Sequence, residues 1–337
     1  MKNLKLSCMA LAVVMFTTIC FVGSLSAQPA PIKIAYSTLF PPTHKIGVMT
    51  AEWGKEIEKK TNGRVKLVIF YSSTLTTPDK AYDGVVKGVS DAAVFSPSFN
   101  VGKFPLTEVF DYPLGYTSSQ QATKVVNEYL AKFKPKEFNN VKILYAFTNS
   151  PLVFHTNKPI NKMEDLKGLK IRSTGTTARV LSAFGATPVA LSIAETYDAL
   201  SRGVIDSLVG TVEALQGFKF AEVTKNTTIG KNASFTLIQI IVINKAVWDK
   251  IPKDAQTIIE EVSKEYADKT AKAYDELDVT GKEFATKAGH KFIQLSPEEN
   301  AKFTNAAAPL IETYVKEKKQ MGLPADEVLK FCQERLK

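Results

Sequence analysis

Arg172 is the residue whose type and position most clearly predict chemistry in this chain. It ends a predicted strand, 169–172, and the residues that follow, Ser-Thr-Gly at 173–175, precede a predicted helix. A guanidinium presents a planar pair of donors that matches a carboxylate, and the first N–H groups of a helix are free to bind an anion. The pattern predicts an anion-binding site, with a surface arginine on an edge strand as the alternative.

The motifs that would indicate catalysis or a resident metal are missing from the sequence. The three histidines, His44, His155 and His290, are far apart and form no metal-binding pair at helical spacing. The chain has no HExxH, CxxC, GxSxG, Walker-type or GxGxxG motif. We therefore predict a binding protein with no catalytic residue, no metal and no cofactor. An exported two-lobe enzyme is the alternative, because catalytic triads assemble from distant positions.

One eleven-residue pattern occurs twice, 115 positions apart. Residues 81–91 read AYDGVVKGVSD, and residues 196–206 read TYDALSRGVID. Each copy is typical of the end of an amphipathic helix, a glycine that ends it, and an aspartate before a short apolar strand. Asp91 and Asp206 should therefore occupy equivalent places in two similar lobes. Chance is the alternative, since this transition is common in α/β proteins.

The amino-terminal residues are typical of an export signal. Lys2 and Lys5 precede an apolar run at 6–22, followed by small residues. We predict that 1–27 is a signal peptide and that the protein reaches the periplasm through the Sec pathway, with an uncleaved anchor as the alternative. Cleavage would leave Cys332 as the only cysteine, in an amphipathic terminal helix. This predicts a buried thiol and no disulfide framework.

The net positive charge does not by itself indicate a nucleic-acid partner. The full chain carries +9, and loss of Lys2 and Lys5 with the signal peptide leaves +7. The remaining lysines are scattered along predicted helices and strands rather than gathered into a stripe, so we predict no nucleic-acid binding. About 310 residues would remain, which predicts two domains rather than one.

Strand and helix patterns alternate after the signal peptide and predict an α/β fold. We assign 31–154 together with about 244–295 to lobe I, 155–243 to lobe II, and 296–337 to carboxyl-terminal helices packed on the lobes. The helical pattern at 252–289 exceeds thirty residues. A helix of that length in a globular protein usually bridges two lobes as a spine.

Helix caps and one apolar run add local predictions. Thr43 is the predicted N-cap of the first helix, and Ser192 with Glu195 forms a predicted capping box for the repeated helix. The run 235–243 is typical of a fully buried strand and is too short to span a membrane.

Three stretches resemble the DctP-type solute-binding proteins of TRAP (tripartite ATP-independent periplasmic) transporters. They are EDLKGLKIRSTGT at 164–176, YDALSRGVIDSLVG at 197–210 and FYSSTLTTPDKAYDGVVKGVSDAAVFS at 70–96. The likeness extends over nearly the whole chain after the signal peptide. It implies a two-lobe, periplasmic-binding-protein-like clamp with crossing strands and a long spine helix. It also implies that Arg172 pairs with the carboxylate of an organic acid held in the cleft.

The same resemblance implies the partners. A small organic anion would be the ligand, and a permease of one small and one large membrane subunit, driven by an ion gradient, would receive it. We expect a monomer. A ligand-sensing subunit for a sensor kinase is the alternative within the same fold.

The chain departs from the sialic-acid-binding members of that family. Those members carry a second arginine on the strand that enters lobe II, where this chain reads Ser-Pro-Leu-Val at 150–153. They also carry a glutamate and an asparagine where this chain has Val209 and Gly210. Each buried hydroxyl left without a partner costs about 1–3 kcal/mol, which disfavours a sugar acid. We predict a small carboxylate or sulfonate mono-anion with apolar or aromatic character. His44 or a nearby lysine could supply a second charge and admit a dicarboxylate.

Further candidate ligand-binding residues follow predicted strands or lie on the buried strand. Gln239 stands out, because a buried amide among aliphatic residues needs a hydrogen-bond partner. The full set is Phe40, His44, Phe95, Ser96, Phe99, Phe154, Gly210, Thr211, Glu213, Phe235 and Gln239.

Overall fold

Two β-sheets, each flanked by helices, form the part of the chain that the computed structural model describes, residues 30–173 and 175–336. The predicted signal peptide, 1–27, lies outside the described residues. The strands are β1 (Ile32–Ser37), β2 (Val65–Phe70), β3 (Ala92–Phe95), β4 (Val141–Thr148), β5 (Val153–Thr156), β6 (Lys170–Ser173), β7 (Thr187–Ala190), β8 (Ser207–Gly210), β9 (Asn226–Ile229), β10 (Ile238–Asn244) and β11 (Lys291–Gln294). The helices are α1 (Lys45–Lys60), α2 (Ala81–Val86), α3 (Ser119–Phe133), α4 (Thr177–Ala183), α5 (Ile193–Ser201), α6 (Ala214–Gly217), α7 (Lys245–Asp249), α8 (Lys253–Lys287), α9 (Pro297–Gln320) and α10 (Ala325–Arg335).

The two sheets share one pattern of strand pairing, and each sheet defines a lobe. The strand order is β2-β1-β3-β10-β4 in the sheet of lobe I and β7-β6-β8-β5-β9-β11 in the sheet of lobe II. In both lobes the first two pairings are parallel and the next two are antiparallel. The predicted two-lobe α/β fold is confirmed, and β1, β2 and β3 correspond to β6, β7 and β8.

Asp91 and Asp206 make the same contacts in the two lobes. The N–H of Asp91 donates to the carbonyl of Ala35 (2.9 Å), whose N–H donates to Oδ2 of Asp91 (2.7 Å). Asp206 exchanges the equivalent pair of hydrogen bonds with Lys170, at 2.9 and 2.8 Å. Each aspartate thus fixes the start of one strand, β3 or β8, against the parallel strand beside it, β1 or β6. The predicted equivalence of the two repeat segments is confirmed.

The chain crosses between the lobes at two adjacent segments, 149–152 and 230–237, and again along α8, which leads from lobe I to β11. The N–H of Asn149 donates to the carbonyl of Leu237 (3.3 Å), and Leu152 pairs with Phe235. After the second crossing β10 pairs with β3 and β4 in lobe I, whereas the predicted boundary placed residues up to 243 in lobe II. β11 pairs with β9 in lobe II, although lobe I was predicted for it. The hydrophobic pattern of a segment predicts a buried strand, but it does not predict which of the two sheets the strand joins.

The long helix α8 has 35 residues and confirms the predicted spine. It packs on β4, α1 and α3 of lobe I and on α6 of lobe II. Gly281 allows the closest approach to lobe II, because a Cβ there would lie 2.7 Å from the Cα of Glu213. The spine therefore touches both lobes and lies directly against the segment that follows β8.

One hydrophobic core runs through both lobes on the side covered by α9 and α10. It contains Phe95 of lobe I, Ile171 of lobe II and Phe303 of α9, all buried. Cys332 belongs to the same core and is fully buried, as predicted. Among the described helices, none is long and apolar enough to cross a membrane.

Of the two predicted helix caps, one is confirmed and the other is shifted by one residue. Ser192 and Glu195 form the capping box of α5, as predicted. The N-cap of α1 is His44 rather than Thr43, because Nδ1 of His44 accepts a hydrogen bond from the N–H of Ile46 (3.2 Å). An imidazole nitrogen can replace the side-chain oxygen that more commonly caps a helix.

Candidate functional site

Arg172 lies at the carboxyl end of β6, where the corresponding residue of lobe I is Ser37. Its side chain is partly buried, and its Nε donates to the carbonyl of Leu191 (3.0 Å). Burial lowers the pKa of Arg172 to about 10, so the group stays charged at neutral pH. No carboxylate within the described ranges forms an ion pair with it. A charge held away from water without a counter-charge is costly, and an organic anion would remove that cost.

Ser173, next to Arg172, has a buried hydroxyl without a hydrogen-bond partner among the described residues. Gly175 has a positive φ of 61°, and a Cβ at this position would lie 2.0 Å from the carbonyl oxygen of Ser98 in lobe I. The turn after Arg172 therefore requires glycine. It brings the carboxyl ends of β6 and β3 together across the lobes.

An aromatic contact joins the two lobes near the start of α1. Phe40 stacks on His44 with ring centroids 5.3 Å apart, and His44 lies 6.2 Å from the ring of Phe218. Phe40 and His44 belong to lobe I, and Phe218 follows α6 in lobe II. The sequence prediction included the first two residues and missed Phe218. No local pattern marks Phe218, since its role depends on how the lobes face each other.

His44 is neutral in this setting. Burial lowers its pKa, and its Nδ1 accepts the N–H of Ile46. A neutral imidazole whose Nδ1 accepts carries its proton on Nε2. His44 can therefore donate a hydrogen bond to an oxyanion, but it does not supply a second cation at neutral pH.

Gln239 and Ser96 form a polar spot on lobe I. Gln239 lies on β10 opposite Phe147 of β4, and Phe147 stacks on Tyr274 of the spine at 6.1 Å. Oε1 of Gln239 and Oγ of Ser96 are buried and have no hydrogen-bond partner in the described part of the chain. Buried polar atoms normally have partners, so a bound molecule is expected to supply them.

Two acidic side chains meet where lobe II touches the spine. The N–H of Glu213 donates to Oδ1 of Asp278 (2.9 Å), and the hydroxyl of Thr211 donates to Oε1 of Glu213 (3.1 Å). Burial raises the pKa of Glu213. Burial also raises the pKa of Asp278 to about 7, and the negative charge of Glu213 adds to this rise. Asp278 is therefore only partly ionised at neutral pH, and the two carboxyls offer no positive charge to a second anion. The sequence prediction missed Asp278, which lies in a charged stretch of α8.

The structure gives four predicted candidates a place in the hydrophobic cores: Phe40 belongs to the core beneath α1, and Phe95, Phe154 and Phe235 belong to the core that runs through both lobes. Phe95 packs against Tyr82 and Phe104, with centroids at 5.0 and 5.2 Å. The other two contacts are Phe154 with Phe303 at 6.4 Å and Phe235 with Phe184 at 6.2 Å. Phe95 and Phe154 lie on β3 and β5, and Phe235 lies in the crossing segment before β10; the sequence pattern did not show that these side chains face the core.

Three remaining candidates, Gly210, Thr211 and Phe99, lie at or just after strand ends. Gly210 ends β8, and its carbonyl lies 3.2 Å from Nε2 of the buried His155, which is also 3.0 Å from the carbonyl of Thr211. Phe99 is partly buried and ends a short 3₁₀ turn, Pro97–Phe99. The candidates that stay for ligand contact are Arg172, His44, Ser96, Phe99, Thr211, Glu213 and Gln239, together with Phe40, which stacks on His44.

The model of the bacterial extracellular solute-binding proteins, family 7 (DctP), matches residues 36–318. The chain belongs to this family. The C4-dicarboxylate-binding periplasmic protein DctP of Vibrio cholerae is 26% identical over 308 residues, which cover 88% of this chain and 90% of that protein. Members of the DctP family are solute-binding proteins, as the predicted resemblance implied.

Solved structures of TRAP solute-binding proteins share the fold. One from Desulfovibrio salexigens is 30% identical, with a TM-score of 0.83 and coverage of 91% of this chain and 96% of that chain. One from Rhodoferax ferrireducens, in complex with copurified benzoate, is 25% identical, with a TM-score of 0.83 and coverage of 90% and 97%. The mixed α/β clamp with its spine helix is therefore that of the TRAP solute-binding members of the DctP family.

Proposed function

We propose that this DctP-family protein is the periplasmic solute-binding component of a TRAP transporter. It captures a small organic mono-anion between its lobes and delivers it to a permease of one small and one large membrane subunit, driven by an ion gradient. The observation that carries the proposal is Arg172, a partly buried guanidinium at a strand end, which pairs with no carboxylate of the described residues.

The charges around the cleft support a ligand with one carboxylate or sulfonate. Arg172 supplies one positive charge, and His44 is neutral because burial lowers its pKa. Glu213 and Asp278 supply no positive charge, and in their ionised forms they repel a second carboxylate. Burying that carboxylate without a cation would cost several kcal/mol. A mono-anion is therefore the better fit, although the Vibrio cholerae relative is named for binding C4-dicarboxylates.

The aromatic contacts support a ligand with an apolar or aromatic body. His44 and Phe218 offer partly buried rings from the two lobes, and the buried ring of Phe40 stacks on His44. The Rhodoferax ferrireducens relative holds copurified benzoate, an acid of this kind. Because such a ligand touches both lobes only when they are closed, binding shifts the protein towards the closed form.

A thermal-shift screen tests this proposal. The panel contains benzoate, phenylacetate, a branched aliphatic monoacid, benzenesulfonate, succinate and malate. A ligand at one hundred times its dissociation constant adds about 2.7 kcal/mol to the free energy of unfolding. We expect stabilisation by monoacids or the sulfonate. Stabilisation by succinate and malate alone would contradict the mono-anion, and no stabilisation by any acid would contradict the proposed function.

A further inference from the structure

The polar spot formed by Gln239 and Ser96 lacks partners within lobe I. β10 runs antiparallel to β3 with Ile240 opposite Phe95, so the next positions bring Gln239 and Ser96 side by side. Gln239 is 5% exposed and Ser96 is 0% exposed. Neither Oε1 of Gln239 nor Oγ of Ser96 finds a hydrogen-bond partner among the described residues.

The side chains around Gln239 explain why its Oε1 accepts no hydrogen bond from the described residues. Successive residues of a strand point to opposite faces, so Gln239 shares a face with Ile241. Its neighbour across the strand pair is Phe147, which stacks on Tyr274. Ile241 and Phe147 offer no hydrogen-bonding group, and Oε1 of Gln239 accepts no hydrogen bond from the hydroxyl of Tyr274. A buried amide without a hydrogen bond destabilises the protein, so we expect a molecule that enters the cleft to supply the bond.

The polar spot also lies at the end of the sheet where ligands of α/β proteins bind. Ser96 follows the last residue of β3, and parallel β1 and β3 end at the same edge. Ligands of open α/β sheets bind beyond the carboxyl ends of such strands. Phe40 follows β1 at this edge, and Arg172 ends the corresponding strand of lobe II.

We propose that Gln239 and Ser96 form a second subsite that binds a hydroxyl group of the ligand, which makes the ligand class a hydroxylated aromatic monoacid. This inference rests on the proposed function, because it assumes that the carboxylate binds Arg172. An amide and a serine hydroxyl each both donate and accept, and so does the ligand hydroxyl. A carboxylate would need a cation, and neither side chain has one as a partner. The two subsites lie on different lobes, so the hydroxyl also favours closure.

The test compares each hydroxy acid with its parent acid by calorimetry. The pairs are phenylacetate with mandelate, and benzoate with 3-hydroxybenzoate and 4-hydroxybenzoate. At least one hydroxy acid should bind about tenfold to a hundredfold more tightly than its parent, the range for one buried hydrogen bond. Equal affinities within every pair would overturn the subsite, as would tighter binding of phenylglycine, the ammonium analogue, than of mandelate.

Variants of Gln239 and Ser96 then test whether these two residues cause the tighter binding of the hydroxy acid. Gln239→Met keeps the size of the side chain and should remove about tenfold of the preference for the hydroxy acid, while the parent's affinity changes less than twofold. Gln239→Asn and Ser96→Ala should each weaken the preference and serve if the Met variant fails to fold. Gln333→Met, at an exposed site on α10, is the matched control and should change nothing.

Different results would contradict the hydroxyl subsite and the proposed function. If the preference for the hydroxy acid survives in every folded variant of Gln239 and Ser96, the subsite is wrong while anion binding at Arg172 stands. If no acid of the panel binds the wild type, or if Arg172→Ala binds as tightly as the wild type, the proposed function itself fails.

Discussion

Asp111 is a buried carboxyl whose titration should be visible in the stability of the protein. It is 5% exposed, and the Ser98 hydroxyl donates to its Oδ1. Burial raises the pKa of Asp111 from 3.8 to about 7; hydrogen bonds from Ser98 and Thr176 oppose this rise, and the charge of Glu108 adds to it. The folded state therefore holds this proton more tightly than the unfolded state does.

The raised pKa of Asp111 makes the free energy of unfolding depend on pH, because the folded and unfolded states bind the proton with different affinity. A carboxyl with a raised pKa in the folded state stabilises fully below its unfolded pKa, and that contribution is lost as pH rises through the folded pKa. For Asp111 the window runs from about pH 4 to about pH 7. The full effect is at most about 4 kcal/mol, and between pH 5 and pH 8 about 1–3 kcal/mol should appear after allowance for relaxation of the site.

Asp111→Asn tests this reasoning by urea unfolding at pH 5 and pH 8. Asparagine keeps an oxygen that accepts from Ser98 but does not ionise, so the variant should gain about 1–3 kcal/mol on the wild type as pH rises from 5 to 8. Any constant cost of the new amide cancels in that comparison. Asp249→Asn, at an exposed carboxylate, is the control. Parallel pH profiles for Asp111→Asn and the wild type would refute the reasoning.

Three further predictions concern closure, the turn after Arg172 and the thiol. Phe218→Ala should weaken benzoate binding about tenfold and acetate binding much less in calorimetry, because it removes the ring that faces His44; equal losses would contradict the aromatic contact. Gly175→Ala should lower the free energy of unfolding by at least about 2 kcal/mol, because its Cβ would meet the carbonyl of Ser98; unchanged urea unfolding would contradict this close approach. Cys332, buried and with its pKa raised to about 12 by burial, should react with a thiol reagent only after unfolding; rapid labelling of the native protein would contradict its place in the core.

Much of the fold could be predicted because it depends on local pattern. The Gly-Asp edge that ends each repeated helix sets the start of an apolar strand, so Asp91 and Asp206 indicated two related lobes before any contact was known. The length of α8 indicated a spine that spans both lobes. These features follow from helix endings, hydrophobic runs and helix length, which neighbouring residues determine.

The site could be predicted only where one residue carries the chemistry by itself. Arg172 was selected because a guanidinium at a strand end, followed by the start of a helix, can bind an anion; its role stays a prediction. Phe218 and Asp278 were missed, because their roles depend on the approach of lobe II to α1 and to the spine. Phe154 and Phe235 were selected for their places on or beside predicted strands, but their packing partners, among them Phe303, come from distant parts of the chain.

The central claim is that Arg172 holds the carboxylate of the ligand, and calorimetry of Arg172→Ala with the tightest acid of the panel tests it most directly. The account predicts a loss of about 2–5 kcal/mol in binding, some thirtyfold to several thousandfold, with an unchanged urea unfolding curve. Arg172→Lys should recover only part of the affinity, because lysine lacks the planar pair of donors. Arg202→Ala, at an exposed site of lobe II, should bind like the wild type. Wild-type affinity in a folded Arg172→Ala protein would contradict the account.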